Sequence, residues 1–183
     1  MATRVVAFDD GNFKPRTKGT AILIGVVYRT DHMVEGILSD SIGIDRLDST
    51  EKIIHSVSKS RFYEQLSAVM LSGINFAGFN IADTEALNKK LKLPVIIVLR
   101  KRPDFKKIFS ALKKFPDSGK RISLIKKSGK IRNCGKIFFQ VKGASPEDAA
   151  ILIRRCIIHS EMPEPIRLAH IIASGVSSGE SKR

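Results

Sequence analysis

The sequence predicts a single α/β domain in which an antiparallel meander of strands leads into parallel strands, the mixed sheet being flanked by helices. Three observations carry that prediction. Three strand-like runs occupy the first forty residues, with no helical period between them. From Ala68 onward strand-like and helix-like runs alternate, which is the pattern of crossover units. Leu93–Leu99 is apolar throughout, as a central strand covered on both faces must be.

Taken in order, residues 3–9 form a short apolar strand, residues 18–29 a longer one, and residues 33–39 the third of the meander. Asp48 starts a helix whose free amides it can cap, with Glu51 three positions later reaching back. Ile53, Ile54 and Val57 give that helix its apolar face. Ala68–Leu71 is a buried strand, Asp83 opens a helix running to about Leu91, and residues 94–99 are the next strand. A basic helix follows Pro103, and the Gly- and Lys-rich stretch 116–135 is expected to be an insertion or mobile loop. Lys136–Val141 returns as a strand. Ser145, Pro146, Glu147 and Asp148 make a strong helix start, combining a cap, a first-turn proline and two acids on the dipole. Pro165 opens the last helix, to about Ala173. The Ser- and Gly-rich end is expected to fray, so the domain is placed at 1–176 and a flexible tail at 177–183.

With 183 residues, 43% of them hydrophobic and 27% charged, the chain has the length and composition of one folded domain. Cys134 and Cys156 form no Cys-x-x-Cys pair, so neither a zinc framework nor a disulfide-rich secreted domain is indicated. No apolar run approaches the length needed to span a bilayer. These features predict a cytoplasmic protein without a membrane partner.

The net charge of +14 is concentrated. Residues 89–136 hold 17 Lys and Arg against two acids, Asp104 and Asp117, an excess of +15, whereas the rest of the chain is nearly neutral. A field of one sign on a quarter of the chain attracts a polyanion, and a phosphate backbone releases condensed counterions when neutralised. A lysine-rich solvated face would have the same composition.

Three segments can carry chemistry. Asp9-Asp10-Gly11 closes the first strand, where a carboxylate can hold Mg²⁺, although the same tripeptide is also turn chemistry. Residues 72–80 hold two glycines after a buried strand, a place where a ligand can approach backbone closely, or simply a tight connection. Residues 162–170 contain a rigid Pro-Glu-Pro entry to the last helix, and His170 shares a helix face with Ile166, Ala169 and Ala173 and so points inward. No phosphate-binding glycine loop and no Ser-His-Asp or Cys-His arrangement is present.

Together these segments resemble endonuclease V, and more closely the archaeal endonuclease dU family related to it. Val5–Gly11 is similar to the family's first strand with its metal-binding Asp. Val69–Gly73 and Leu91–Ile96 are similar to its strand, glycine loop and following strand, and Pro163–His170 to its C-terminal helix start. The resemblance implies a ribonuclease H-like fold and Mg²⁺-dependent, or Mn²⁺-dependent, cleavage of a phosphodiester beside a deaminated base, with DNA favoured over RNA as partner. Carried over by residue, Asp9 or Asp10 and Glu51 are metal ligands, and His170 supports the metal site. Gly73 belongs to a base pocket, and Arg100 or Lys101 contacts phosphate. The chain departs from endonuclease V at Ser72, where that family has a second metal-binding Asp, and at residues 41–46, where its aromatic-Ile-Pro wedge is missing. Asp83 is a candidate to replace the missing carboxylate. Two functions follow: a repair-type endonuclease, or a non-catalytic nucleic-acid-binding module on the same fold. The oligomeric state is left open.

Overall fold

A computed structural model describes residues 2–15 and 17–181. The meander forms as expected from β1 (Arg4–Asp10), β2 (Thr20–Arg29) and β3 (Met33–Gly43), the last four residues longer than the sequence suggested. Helix α1 (Ser49–Ser58) and a short 3-10 turn at Tyr63–Gln65 lead into β4 (Leu66–Ser72). A small hairpin, β5 (Asn75–Phe76) and β6 (Asn80–Ile81), precedes α2 (Thr84–Leu91) and β7 (Val95–Leu99). Two helices, α3 (Phe105–Leu112) and α4 (Ser118–Lys127), connect to the hairpin β8 (Arg132–Cys134) and β9 (Ile137–Lys142). Helices α5 (Pro146–Arg155) and α6 (Glu164–Ser178) complete the chain.

Seven strands lie in the order β3-β2-β1-β4-β7-β9-β8. β2 is antiparallel to β1 and β3, while β1, β4 and β7 are mutually parallel. β9 then runs antiparallel to β7, because the two residues Gly135 and Lys136 turn β8 straight back into it, Gly135 taking a left-handed φ of +61°. The carboxyl ends of the three parallel strands therefore meet at one edge of the sheet.

The strand period of two sorts the side chains of β1 between two cores. Val5 and Ala7 pack beneath α5 and α6, with Ile153, Ile166, Ala169 and Ala173. Val6 and Phe8 pack beneath α1 and α2, with Ile53, Val57, Leu87 and Leu91. Asp9 continues the first row and Asp10 the second.

Several local expectations are corrected. The segment 116–135 is not a loop but holds α4, fixed by a third core of Ile81, Leu112 and Ile125 with Phe79, Phe109 and Phe115 against it. Arg121 is buried in that helix, and its guanidinium reaches the carbonyls of Asp45 and Phe79 and the carboxylate of Asp117 (2.7 Å). The capping box of α1 does not form. Asp48 instead accepts from the Gly43 amide (3.1 Å) and the Asn80 side-chain amide (2.6 Å), and Asn80 Oδ1 takes the Ser49 amide at 3.0 Å. A buried asparagine thus performs the capping from across the fold. The caps at Asp83 and Ser145 form as expected, on Glu85 and Ala86 and on Asp148 respectively. Helix α6 continues through Ser174, Ser177 and Ser178, residues expected to fray, and ends on Gly179 in a left-handed conformation. Lys182 and Arg183 of the expected tail lie outside the described residues. No helix among the described residues is long and apolar enough to cross a membrane.

Candidate functional site

The site begins with α6. Pro163 and Pro165 fix its entry, and Ile166, Ala169 and Ala173 bury one stripe against β1 and β2. His170, one turn beyond Ile166, is carried to the end of β1, where its Nδ1 lies 2.9 Å from Asp9 Oδ2. The Asp9 side chain is only 10% exposed, whereas that of His170 is 45% exposed, so the pair has a buried anchor and an open head. Hydrogen bonding to Asp9, reinforced by its negative charge and that of Asp10, holds the imidazole pKa above its ordinary value against the opposing effects of burial and Arg100.

The chain leaving β1 is clamped to the same helix. The Gly11 amide donates to Ile22 O at 2.9 Å, and the Asn12 amide donates to Ser177 Oγ at 2.8 Å. The Asn12 side chain reaches Ser174 and Ser178. A Cβ at Gly11 would stand 2.5 Å from Ile22 Cγ2 and 2.8 Å from Ala173 O, so only glycine allows this approach. The serines expected to belong to a tail therefore dock the loop that follows the two acids.

Asp9 opens into a cleft of about 540 Å³. Its walls include Ser72 and Gly73 from the end of β4, Arg100 after β7, and Arg167 and His170 from α6. The register Ala7–Met70 and Phe8–Leu71 puts Ser72 beside Asp9 on the α6 face. Gly73 has φ +90°, and a Cβ there would meet nothing closer than 3.9 Å, so the glycine is needed for its backbone conformation rather than for space. Its amide donates to Val98 O at 3.0 Å, tying β4 to β7.

Asp10, one residue on, faces the other side. Its Oδ2 accepts the Ala77 amide of the β5–β6 turn at 2.9 Å. Burial, and then repulsion from Asp9, push its pKa up to about 7. Such a rise marks a carboxyl that is first desolvated by burial and then crowded by a second acid.

Of the residues singled out from sequence, Asp9, Gly73, Arg100 and His170 line one cleft, and Asp10 backs it. Glu51 is exposed on the first turn of α1, and neither it nor Lys101, which is also exposed, lines the cleft. Asp83 is occupied in capping α2. Among the described residues no three His, Cys, Asp or Glu side chains gather in a way that could hold a metal ion. Arg167 and the Asn12–Ser177 clamp were not foreseen. Arg167 lies one turn before His170 on α6 and is braced by Glu164 at 2.8 Å, a pairing visible in the sequence only as a three-residue spacing.

The seven-stranded mixed sheet flanked by helices has the ribonuclease H-like fold of the endonuclease V structures that it resembles. Endonuclease V of Ciona intestinalis, crystallised with a 24mer DNA containing an inosine followed by a ribo-adenosine, superposes with a TM-score of 0.60 at 14% identity, over 92% of this chain and 82% of that one. Endonuclease V of Bacillus subtilis gives 0.59 at 12% identity, over 94% and 78%. The chain belongs to the endonuclease dU family, whose profile matches residues 1–177. A crystal structure of a protein of unknown function from Archaeoglobus fulgidus matches with a TM-score of 0.90 and 34% identity, over 97% of this chain and 99% of that one. The UPF0215 protein of Thermococcus sibiricus is 45% identical, over 98% of this chain and 95% of its own length.

Proposed function

We propose that this protein is a nuclease that hydrolyses a phosphodiester of nucleic acid, DNA rather than RNA, beside a deaminated base, and that its cleft requires a divalent cation. The observation that carries the proposal is the Asp9–His170 pair, 2.9 Å apart, in a cleft rimmed by Arg100 and Arg167. A buried anion beside two guanidinium groups suits a substrate whose own anion is brought to the carboxylate by a cation.

The donor set fits Mg²⁺, or Mn²⁺, of the sparsely held kind. Mg²⁺ keeps several waters and is usually bound through one or two carboxylates together with substrate phosphates, not in an all-protein cage. Asp9 would hold it, with the Ser72 hydroxyl beside it and the Asp10 charge behind. When bound it would polarise the phosphate and lower the pKa of a bound water. The chain's own groups act around that centre. His170, protonated on the nitrogen facing Asp9, fixes the carboxylate's orientation, and its other ring nitrogen is free to exchange a proton with solvent or substrate. Arg100 supplies charge to a phosphate, and Arg167 has donors left over from its pairing with Glu164. The basic segment 89–136, exposed at Lys106, Lys107, Lys113 and Lys114, supplies the sequence-independent attraction.

The test is cleavage of end-labelled single- and double-stranded oligonucleotides carrying one uracil or hypoxanthine, with Mg²⁺, Mn²⁺ or EDTA. The expected result is a metal-dependent cut near the modified base. A second reading, a module that binds nucleic acid without cutting, is favoured by one observation: Ser72, which lines the cleft with Asp9 at the end of the neighbouring parallel strand, is a neutral hydroxyl. Retarded migration with no product at any metal concentration would select it.

A further inference from the structure

β3 is one edge of the sheet, and it is a long edge, eleven residues that pair with β2 alone. Such an edge invites pairing with another strand unless proline, lysine or a bulge blunts it. No Pro, Lys or Arg occurs anywhere in 30–45. The register shifts once, between Val34 and Gly36, where Glu35 is the extra residue, and from Gly36 to Gly43 the ladder is regular. Both acids of the strand are neutralised within the chain, Glu35 by Arg4 (2.6 Å) and Arg29 (3.0 Å), and Asp40 by Lys52 (3.0 Å). The Ser41 amide donates to Asp40 Oδ1 at 2.7 Å and so points away from β2. The alternation of an antiparallel ladder carries the amides of Ile37 and Ser39 outward with it.

The two halves of this edge complement each other. Val34 and Ile37 lie in register with Tyr28 and Val26, which puts them on the α6 face, and with Met33 they are large hydrophobic side chains left exposed. Helix α6 packs on β1 and β2, so this corner of the sheet has no helix over it on that face. Further along β3 the same face is made of small residues, Ser39 and Ser41. They line an open cavity of about 500 Å³ whose other walls include Thr20, Ile22 and Asp40. Antiparallel pairing about a twofold axis at Ser39 lays each half on the other: Ser39 of the two copies face each other, and Ile37 of each copy stands opposite Ser41 of the other. The paired ladder then runs from Gly36 to Ile42 in both copies, the stretch without a bulge.

Charge favours the same place. The net +14 would drive copies apart almost anywhere else, but the surplus is carried by 89–136, which supplies β7, α3, α4 and the opposite edge strand β8. β3 is therefore the neutral end of the sheet, and it offers no cation to a polyanion.

We propose that β3 is a homodimer edge, two copies pairing it antiparallel about Ser39 into one continuous sheet, with Ile37 of each seated in the cavity beside Ser41 of the other. A twofold interface of this kind is self-complementary and closes, leaving no free β3 for a third copy. The two clefts, at the ends of β1 and β4, lie away from the interface and open at opposite edges of the joined sheet, since the paired strands run in opposite directions. The inference stands independently of the nuclease reading.

The experiment is sedimentation equilibrium of the full chain, freed of nucleic acid and in salt that screens its charge. Concentrations run from about 1 to 100 μM, the range in which an interface at the small end of the size scale associates. The expected result is a concentration-dependent approach to twice the 20.3 kDa chain mass. Ile37→Lys puts an ammonium over the cavity in each copy and should weaken dimerisation at least about tenfold. Residues that face each other in a hydrogen-bonded antiparallel pair have Cα atoms about 5.5 Å apart, within disulfide reach. Ser39→Cys should therefore give a covalent dimer on mild oxidation, the native Cys134 and Cys156 being buried. A chain that sediments at 20.3 kDa throughout would overturn the proposal and leave the edge to a strand of a different protein. A dimer that persists in Ile37→Lys protein and gives no cross-link in Ser39→Cys protein would overturn it too, by placing the interface elsewhere.

Discussion

Asp9 and His170 stand 161 residues apart in the chain and 2.9 Å apart in the fold, joining the end of the first strand to the middle of the last helix. The pair exists because the strand period puts Asp9 on the α6 face and the helix period puts His170 one turn beyond the buried Ile166. Neither residue needs a special local conformation, and the clamp from Asn12 to Ser177 keeps the two elements in register.

Removing the Asp9 charge should lower the pKa of His170, since the hydrogen bond and the charge of Asp9 are the main causes of its elevation. An NMR titration of the imidazole in Asp9→Asn protein measures this directly. The raised pKa also means that the pair's contribution to stability is complete below the ordinary value of 6.5 and is lost as pH rises through the folded value. An imidazole that titrates identically in both proteins would show that the pairing does not persist in solution.

Asp10 predicts a pH dependence that can be separated from that of His170. Between 3.8 and about 7 the folded chain retains a proton that the unfolded chain has lost. Metal-free stability should therefore fall as pH rises through that window and level off above it. The slope approaches, at most, about 1.4 kcal/mol per pH unit, the value for one proton. Asp10→Asn preserves an acceptor for the Ala77 amide and should remove this part of the slope in denaturant titrations. An added divalent cation should flatten it in the wild type by satisfying the same charge.

Ser72→Asp places a second carboxylate beside Asp9. Isothermal titration calorimetry should then find Mg²⁺ bound about tenfold more tightly or better, because affinity for a hard cation follows the number of charged oxygen ligands. Unchanged affinity would put the cation's site somewhere other than this cleft.

Arg121 latches the α3–α4 unit to the core. Arg121→Ala strips donors from buried carbonyls and unpairs Asp117, and should cost about 2–4 kcal/mol in urea unfolding. Lysine should rescue little, as it lacks the guanidinium fork. Early proteolytic cleavage within 103–130 would accompany the destabilisation.

On the proposed function, the exposed lysines of the same unit should set the salt dependence of nucleic-acid binding. Replacing Lys106, Lys107, Lys113 and Lys114 with Gln should reduce the slope of log K against log salt by up to about 3 to 4 units on duplex DNA, roughly 0.9 for each phosphate no longer neutralised. A slope that stays constant would mean that the basic segment faces away from the nucleic acid.

Much of this was legible in the sequence, and the rest was hidden for physical reasons. The meander, the apolar β7 and the α5 start are local patterns, and they emerged where expected. Helix α4 was obscured because Lys120, Lys126 and Lys127 dilute its apolar stripe, and because the group that anchors it, Arg121, is charged. The α6 extension was obscured by serines that are poor helix formers alone but find partners in Asn12. Asp9, Asp10 and His170 could be singled out by type and position. That Asp9 takes His170 while Asp10 turns to Ala77 depends on which face each occupies, which follows from the strand period. The place of Asp45 depends on Arg121 and Phe79, neighbours that no sequence spacing reveals.

Whether the Asp9–His170 cleft cuts the phosphodiester is decided by the single-turnover cleavage rate of a uracil-containing oligonucleotide in Mg²⁺, compared between wild-type and Asp9→Asn protein. The rate should drop at least about a hundredfold in the variant, the scale on which one charge-stabilising group at a reaction centre is felt, with nucleic-acid binding in EDTA retained. An Asp9→Asn protein that cuts at the wild-type rate would place the cutting outside this cleft.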